Sequence, residues 1–169
     1  MTKTVFLCGF MGCGKSTVGK VAAGLLGVQF VDLDEHIEQQ EKMTIPVIFS
    51  KKGEQYFRDC ETKAIKEFDG KGAVVATGGG ALLREENAEA AQNAGVVIFI
   101  DTDFETCYGR IKDDPHRPIA YNSTKEQLKE RFDQRRPLYE AHSQFTIDGT
   151  LSPAQMAAEI KKIALRGKR

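Results

Sequence analysis

A glycine-rich segment near the start of the chain has the spacing of a phosphate-binding loop. Residues 9–16 read GFMGCGKS, which matches the pattern G-x-x-x-x-G-K-[ST], and an apolar run precedes them while a helical pattern follows. Glycines let backbone N–H groups turn inward around phosphate oxygens, and the following helix adds the positive end of its dipole. Lys15 is placed to reach the β- and γ-phosphates, and the Ser16 hydroxyl to ligate Mg²⁺. The alternative is a glycine-rich turn that binds nothing.

Two carboxylates follow the second predicted strand. Asp32 and Asp34 are two residues apart, so in an extended chain both side chains would point to the same face, above the strand ends. Asp32 is then suited to hold Mg²⁺ through water, and Asp34 to accept a hydroxyl proton or to bind a substrate hydroxyl. The alternative assigns Asp34 to the N-cap of the next helix.

A second glycine-rich stretch follows the third predicted strand. The segment ATGGGA at residues 76–81 contains Gly78, Gly79 and Gly80. Three glycines at a strand end allow a ligand to approach the backbone closely. The alternative is a plain connection from strand to helix, which rarely needs three glycines.

Four arginines are candidates for binding an anion: Arg58, Arg110, Arg117 and Arg136. Two guanidinium groups that converge on one small carboxylate would bind it bidentately, and Glu61 is spaced to orient Arg58. Arg117 lies in the polar, proline-containing segment 113–123, where a closing lid would bring it to the transferring phosphoryl group. The alternatives are solvated arginines and an ordinary surface loop.

The elements that must position these residues alternate along the chain. Short apolar runs predict strands at 5–8, 29–31, 73–76, 96–100 and 144–147, and helical patterns lie between them at 15–26, 35–40, 54–68, 85–93, 104–112, 125–139 and 153–165. Strands separated by helices indicate a doubly wound α/β fold with a parallel sheet, whose ligand site lies at the carboxyl ends of the strands. Residues 43–53 fit this pattern less well, and Pro137 predicts a kink or stop in its helix.

Composition excludes several function classes. The chain has 169 residues and equal numbers, 24 each, of basic and acidic side chains, which indicates one domain and disfavours non-specific binding to nucleic acid or membrane surfaces. No apolar run approaches the roughly 20 residues of a membrane span, and the first residues do not have the pattern of a signal peptide. The four cysteines have neither metal-site nor disulfide-scaffold spacing. We therefore expect a cytoplasmic, monomeric protein.

Several motifs occur together and in order: GFMGCGKST, VDLDEHIE, FRDCE, VVATGGGA, HRPI and RRPLY. In this combination the chain resembles the shikimate kinase family over essentially its whole length. The resemblance implies a three-layer P-loop kinase fold with a five-stranded parallel sheet in the order 2-3-1-4-5. It also implies transfer of the γ-phosphate of ATP, with Mg²⁺, to the 3-hydroxyl of shikimate, in the pathway to chorismate and the aromatic amino acids.

The resemblance further implies a role for individual residues. Asp34 would bind the shikimate hydroxyls and act as base, Arg58 and Arg136 would hold the carboxylate, and Gly79 would contact the substrate through its backbone. Arg117 would be the lid arginine and Arg110 would pack on adenine. The substrate-binding segment would span about 33–61 and the lid about 112–124. The phosphates would be cradled by Gly12, Cys13, Gly14, Lys15, Ser16 and Thr17, and Mg²⁺ would be served by Ser16 and Asp32.

One departure from the family pattern concerns the nucleotide. Many members carry an arginine in the loop after the last strand, whereas residues 148–153 read DGTLSP here, so side-chain contacts to adenine stay open. The sequence also leaves two alternatives for the thiol of Cys13: a reactive thiol at a helix N-terminus and a buried, inert one. Two other functions compete with the shikimate kinase interpretation: another small-molecule P-loop kinase, such as a gluconate kinase, and a non-catalytic ATP-binding module.

Overall fold

Five parallel strands form the centre of the molecule. The computed structural model describes residues 2–115 and 117–166, so His116 of the HRPI motif lies outside the described residues. The strands are β1 (Thr4–Cys8), β2 (Gln29–Asp32), β3 (Ala73–Ala76), β4 (Gly95–Asp101) and β5 (Phe145–Asp148). They pair in the order β2-β3-β1-β4-β5, and every pair is parallel. The α/β class and the strand order are therefore confirmed.

The middle strands are apolar because helices cover both faces of the sheet. All five residues of β1 are buried, and so are the five central residues of β4. A strand buried on both faces needs a continuous apolar run, since successive side chains point to opposite sides. This burial explains why the sequence located these strands to within one residue at each end.

Helices connect the strands and form the two outer layers. Helix α1 packs against α9, whereas α5 packs against α4, α8 and β4. Within the described residues the helices are α1 (Lys15–Leu26), α2 (Leu33–Glu41), α3 (Ile45–Lys52), α4 (Glu54–Glu67), α5 (Glu85–Ala94), α6 (Phe104–Ile111), α7 (Pro118–Tyr121), α8 (Lys125–His142) and α9 (Pro153–Leu165).

Helical structure extends beyond the predicted patterns in two places. Residues 43–53 contain helix α3, in which Pro46 occupies the first turn, where a missing backbone N–H removes no helical hydrogen bond. Helix α8 does not stop at Pro137 but continues to His142. Beyond that proline, Tyr139 is buried, and its hydroxyl donates a 2.6 Å hydrogen bond to the carbonyl of Gly79. This tertiary contact holds the last turns of the helix in place.

Candidate active site

The glycine-rich segment 9–16 forms a tight loop between β1 and α1. Gly12 and Gly14 have φ angles of 80° and 97°, which side-chain-bearing residues rarely adopt, and a Cβ on Gly12 would lie 2.8 Å from the carbonyl oxygen of Cys107. The Lys15 Nζ atom donates a 2.6 Å hydrogen bond to the carbonyl of Gly9. The loop therefore has the backbone geometry of an anion-binding nest at the N-terminus of a helix.

A cavity of about 420 Å³ opens beside this loop. Its size lies in the range of small-molecule sites. It brings together most of the residues that the sequence singled out, from α1, β2, α2, the glycine stretch after β3, α6 and the segment after α6. The lining contains Gly12, Cys13, Gly14, Lys15, Ser16, Thr17, Asp32, Asp34, Gly78, Gly79, Arg110 and Arg117.

The two aspartates have different structural roles. Asp32 ends β2 and is the N-cap of α2, with its Oδ1 atom accepting a 3.1 Å hydrogen bond from the backbone N–H of Glu35. Asp34 belongs to the first turn of α2, so the chain is not extended across both residues. The N-cap role considered for Asp34 is thus held by Asp32. The Asp34 carboxylate instead faces Gly78, where an added Cβ would lie 2.7 Å from Oδ2.

The environment of Asp34 opposes its negative charge. Burial first, and then the neighbouring charges of Asp32 and Glu61, raise the pKa of its carboxyl from 3.8 to about 6, with Lys15 acting in the opposite direction. A carboxyl with a pKa just below neutral is ionised at pH 7 and is still basic enough to accept a proton in a transition state. Its position and its basicity both match the role of a general base.

Arg58 lies at a second cavity, of about 560 Å³, which also contains Gly80. Its Nη1 atom donates a 2.8 Å hydrogen bond to Oε1 of Glu61, whose side chain is 2% exposed. A Cβ on Gly80 would lie 3.3 Å from the same Nη1 atom. The expected orientation of Arg58 by Glu61 is confirmed, and Arg58 lies next to the backbone of the glycine stretch.

Arg136 does not line the cavity that contains Arg58. The expected convergence of Arg58 and Arg136 is therefore not observed. The Nε and Nη2 atoms of Arg136 donate hydrogen bonds of 3.0 and 2.5 Å to Asp101. The preceding residue, Arg135, lines the cavity with Arg58, and its Nη1 atom is 3.2 Å from the position of a Cβ on Gly79. Consecutive helical residues point about 100° apart, so only one of the two arginines faces the glycine stretch. Arg135 was not among the residues that the sequence pattern indicated.

The two remaining arginines line the 420 Å³ cavity. Arg110 Nη1 donates a 2.8 Å hydrogen bond to the carbonyl of Gly12, and Arg117 Nε lies 3.5 Å from Oδ2 of Asp114. The same cavity is bounded by three apolar side chains, Leu151, Pro153 and Met156. Cys13 is 1% exposed, which agrees with the buried-thiol alternative.

The oxygen atoms available to a metal ion are few. In the parts of the chain that the structure describes, no group of three or more His, Cys, Asp and Glu side chains is arranged to hold a metal. Ser16 and Asp32 nevertheless line the cavity together. A hydroxyl and a carboxylate suit Mg²⁺, which retains several waters and takes other ligands from substrate phosphates.

Over residues 2–115 and 117–166, no helix is both long enough and apolar enough to span a membrane.

Comparisons with known proteins identify relatives of this chain. Residues 11–164 match the family described as shikimate kinase. A shikimate kinase from Persephonella marina is 44% identical over 160 residues, which cover 94% of this chain and 96% of that protein. The structure of a shikimate kinase from Acinetobacter baumannii in complex with shikimate superimposes with a TM-score of 0.86 at 36% identity, over 98% of this chain and 94% of that one.

A more distant structure shares the fold alone. A gluconokinase from Sinorhizobium meliloti 1021 is 17% identical, with a TM-score of 0.60 over 96% of this chain and 94% of that one.

Proposed function

This chain belongs to the shikimate kinase family, and we propose that ATP phosphorylates the 3-hydroxyl of shikimate in the cavity beside its phosphate-binding loop. The chain is an ATP-dependent kinase that acts on shikimate. The observation that carries the proposed site is the position of Asp34, whose partly buried carboxylate shares one cavity with Lys15 and Ser16.

The donor end of the cavity is formed by the loop at residues 9–16. Its backbone N–H groups and the Lys15 ammonium neutralise the phosphate charge, which is most of what phosphoryl transfer requires from a protein. Ser16 and Asp32 would hold Mg²⁺, which would neutralise part of the phosphate charge. Asp32 can do so while it caps α2, because the cap occupies only its Oδ1 atom.

The acceptor end is formed by Asp34 and the glycine stretch. Asp34 orients the reacting hydroxyl and accepts its proton, and the absence of side chains at Gly78 and Gly79 leaves room for the substrate ring next to the backbone. Arg58 and Arg135 bind the carboxylate of shikimate; Arg135 replaces Arg136 in this role because it faces the same cavity as Arg58. The carboxylate is thereby held away from the reacting hydroxyl.

Two arginines act on the nucleotide. We assign Arg110 to the adenine, together with the apolar wall of Leu151, Pro153 and Met156. Arg117, in a lid at about 112–124, stabilises the charge on the transferring phosphoryl group when the lid closes and excludes water. The substrate-binding segment at about 33–61 carries Asp34 and Arg58. All these residues come from one chain, so the proposed site is complete in a monomer.

The test of this proposal measures ADP release with Mg·ATP and a panel of shikimate, gluconate and nucleoside monophosphates. We expect release with shikimate alone. Release with gluconate would transfer the assignment to another small-molecule kinase, and ATP binding without release would support a non-catalytic module.

A matched pair of variants tests the carboxylate site. Arg135→Gln removes a guanidinium that lines the cavity, whereas Arg136→Gln removes the neighbouring one, which pairs with Asp101. We expect the first to raise KM for shikimate by at least about tenfold and the second to change it less than about threefold. The opposite ranking would return the role to Arg136.

A further inference from the structure

One guanidinium nitrogen of Arg84, a residue near the glycine stretch, has no hydrogen-bond partner. Its Nη1 atom is buried without a hydrogen-bond partner, and over the described residues it is the one buried side-chain nitrogen or oxygen in that state. Buried polar groups are nearly always paired, because an unpaired donor loses its hydration without compensation. An unpaired buried donor on a permanently charged group therefore indicates an acceptor that arrives from outside the chain.

The backbone fixes Arg84 next to the proposed carboxylate site. Arg84 follows the 3-10 turn Ala81–Leu83 and is the N-cap residue of α5. Its Nη2 atom donates a 3.0 Å hydrogen bond to Glu86, whose side chain is 63% exposed. This exposed ion pair anchors one side of the guanidinium but neutralises little of its charge.

Three guanidinium groups converge on the same cavity. Arg58, Arg84 and Arg135 line it together with Gly80, Glu54, Gln55 and Leu83. Arg58 is already held by Glu61 on one side, and the Glu54 side chain that approaches it at 3.5 Å is 69% exposed. Among the described residues, Arg84 Nη1 is the buried donor at this cavity that no carboxylate of the chain satisfies, and a small organic anion would supply its acceptor.

We propose that Arg84 is a further binding residue for the substrate carboxylate, so that three arginines, not two, select a carboxylic acid as the acceptor. The buried Nη1 atom donates to the carboxylate beside Arg58 and Arg135. This inference rests on the proposed function, because it assigns an additional residue to the same substrate group.

The experiment compares shikimate with its neutral methyl ester as substrates. For Arg84→Gln we expect KM for shikimate to rise about tenfold, with kcat changed less than about twofold. KM for the ester should stay the same, because the ester offers no charge to the missing guanidinium. Arg84→Lys, which keeps a charge without the planar fork, should recover part of the loss.

Two variants make the result interpretable. Arg131→Gln removes one arginine charge from α8 at a residue that lines neither cavity, so it should leave both KM values unchanged. Arg135→Gln serves as the reference for carboxylate binding. If Arg84→Gln raises both KM values equally, or raises neither while Arg135→Gln selectively impairs shikimate, the role of Arg84 is wrong and the carboxylate site stands. If Arg135→Gln is not selective either, the carboxylate site itself is wrong.

Discussion

Replacing Asp34 with asparagine should abolish catalysis and stabilise the fold. The folded protein binds a proton on Asp34 more tightly than the unfolded chain does, since its pKa rises from 3.8 to about 6. At about 1.36 kcal/mol per pH unit, this rise amounts to roughly 3 kcal/mol that the ionised carboxylate subtracts from folding stability. This destabilisation of the folded state is absent well below pH 3.8. It grows between the two pKa values and is complete above about pH 6.

The Asp34→Asn substitution should stabilise the protein at neutral pH and stabilise it less at acidic pH. At pH 7.5, Asp34→Asn should increase the free energy of unfolding by about 1–3 kcal/mol. The gain should fall to about a third at pH 4.5, because the wild-type carboxyl is then largely protonated. Urea unfolding at both pH values measures it, and Tm should rise by about 3–10 °C at neutral pH.

A neighbouring carboxylate provides the control. Glu35 is exposed in the same turn of α2, so Glu35→Gln should change stability by less than about 0.5 kcal/mol at either pH. The reasoning is refuted if Asp34→Asn is less stable than the wild type at pH 7.5, or if its advantage is equal at pH 4.5. In that case burial does not oppose the charge of Asp34.

Three further predictions follow from the same geometry. Because Asp34 must be ionised to act as base, kcat/KM for shikimate should fall about tenfold per pH unit below about pH 6, and a flat pH–rate profile down to pH 5 would contradict this. Arg117→Ala should lower kcat at least about a hundredfold with little change in KM for shikimate, so a normal kcat would remove Arg117 from the reaction. Gly12→Ala should abolish ATP binding in a titration, because a side chain at φ 80° is strained and its Cβ would meet a carbonyl of α6; ATP binding with wild-type affinity would contradict this.

The features that were best predicted from the sequence are those that depend on the spacing of nearby residues. The phosphate-binding loop is recognisable because its function requires eight consecutive residues, and the predicted strand at 96–100 differs from β4 (Gly95–Asp101) by one residue at each end. Buried parallel strands are easy to locate, since both of their faces must be apolar. Helix α3 was missed because it is short and has one fully buried residue, Ile48, which gives a weak periodic pattern.

The choice between the adjacent arginines depends on the rotation of α8, which packing determines. Tyr139 fixes that rotation by donating to Gly79, and residues four apart lie on the same face of a helix. Arg135 is four residues before Tyr139, whereas Arg136 is four residues before the exposed Glu140. The buried tyrosine in the RRPLY motif was thus the signal that distinguishes the two arginines.

The aspartate pair shows a second limit of the sequence. The i, i+2 spacing was interpreted as extended chain, but α2 begins at Leu33, between the two aspartates. Both carboxylates still reach one cavity because the helix starts at the carboxyl end of β2. Their convergence was therefore predicted correctly from an incorrect local conformation.

The strand order has a consequence for how the protein folds during synthesis. The strand before the phosphate-binding loop, β1, pairs with β3 and β4, in registers such as Val5 with Val74 and Val96, and not with β2, which follows it in the sequence. Pairing across such distances is slow, because a long loop must close before any contact rewards it. The strand that leads into the phosphate-binding loop therefore has both of its partners only after β4 (Gly95–Asp101) has been made.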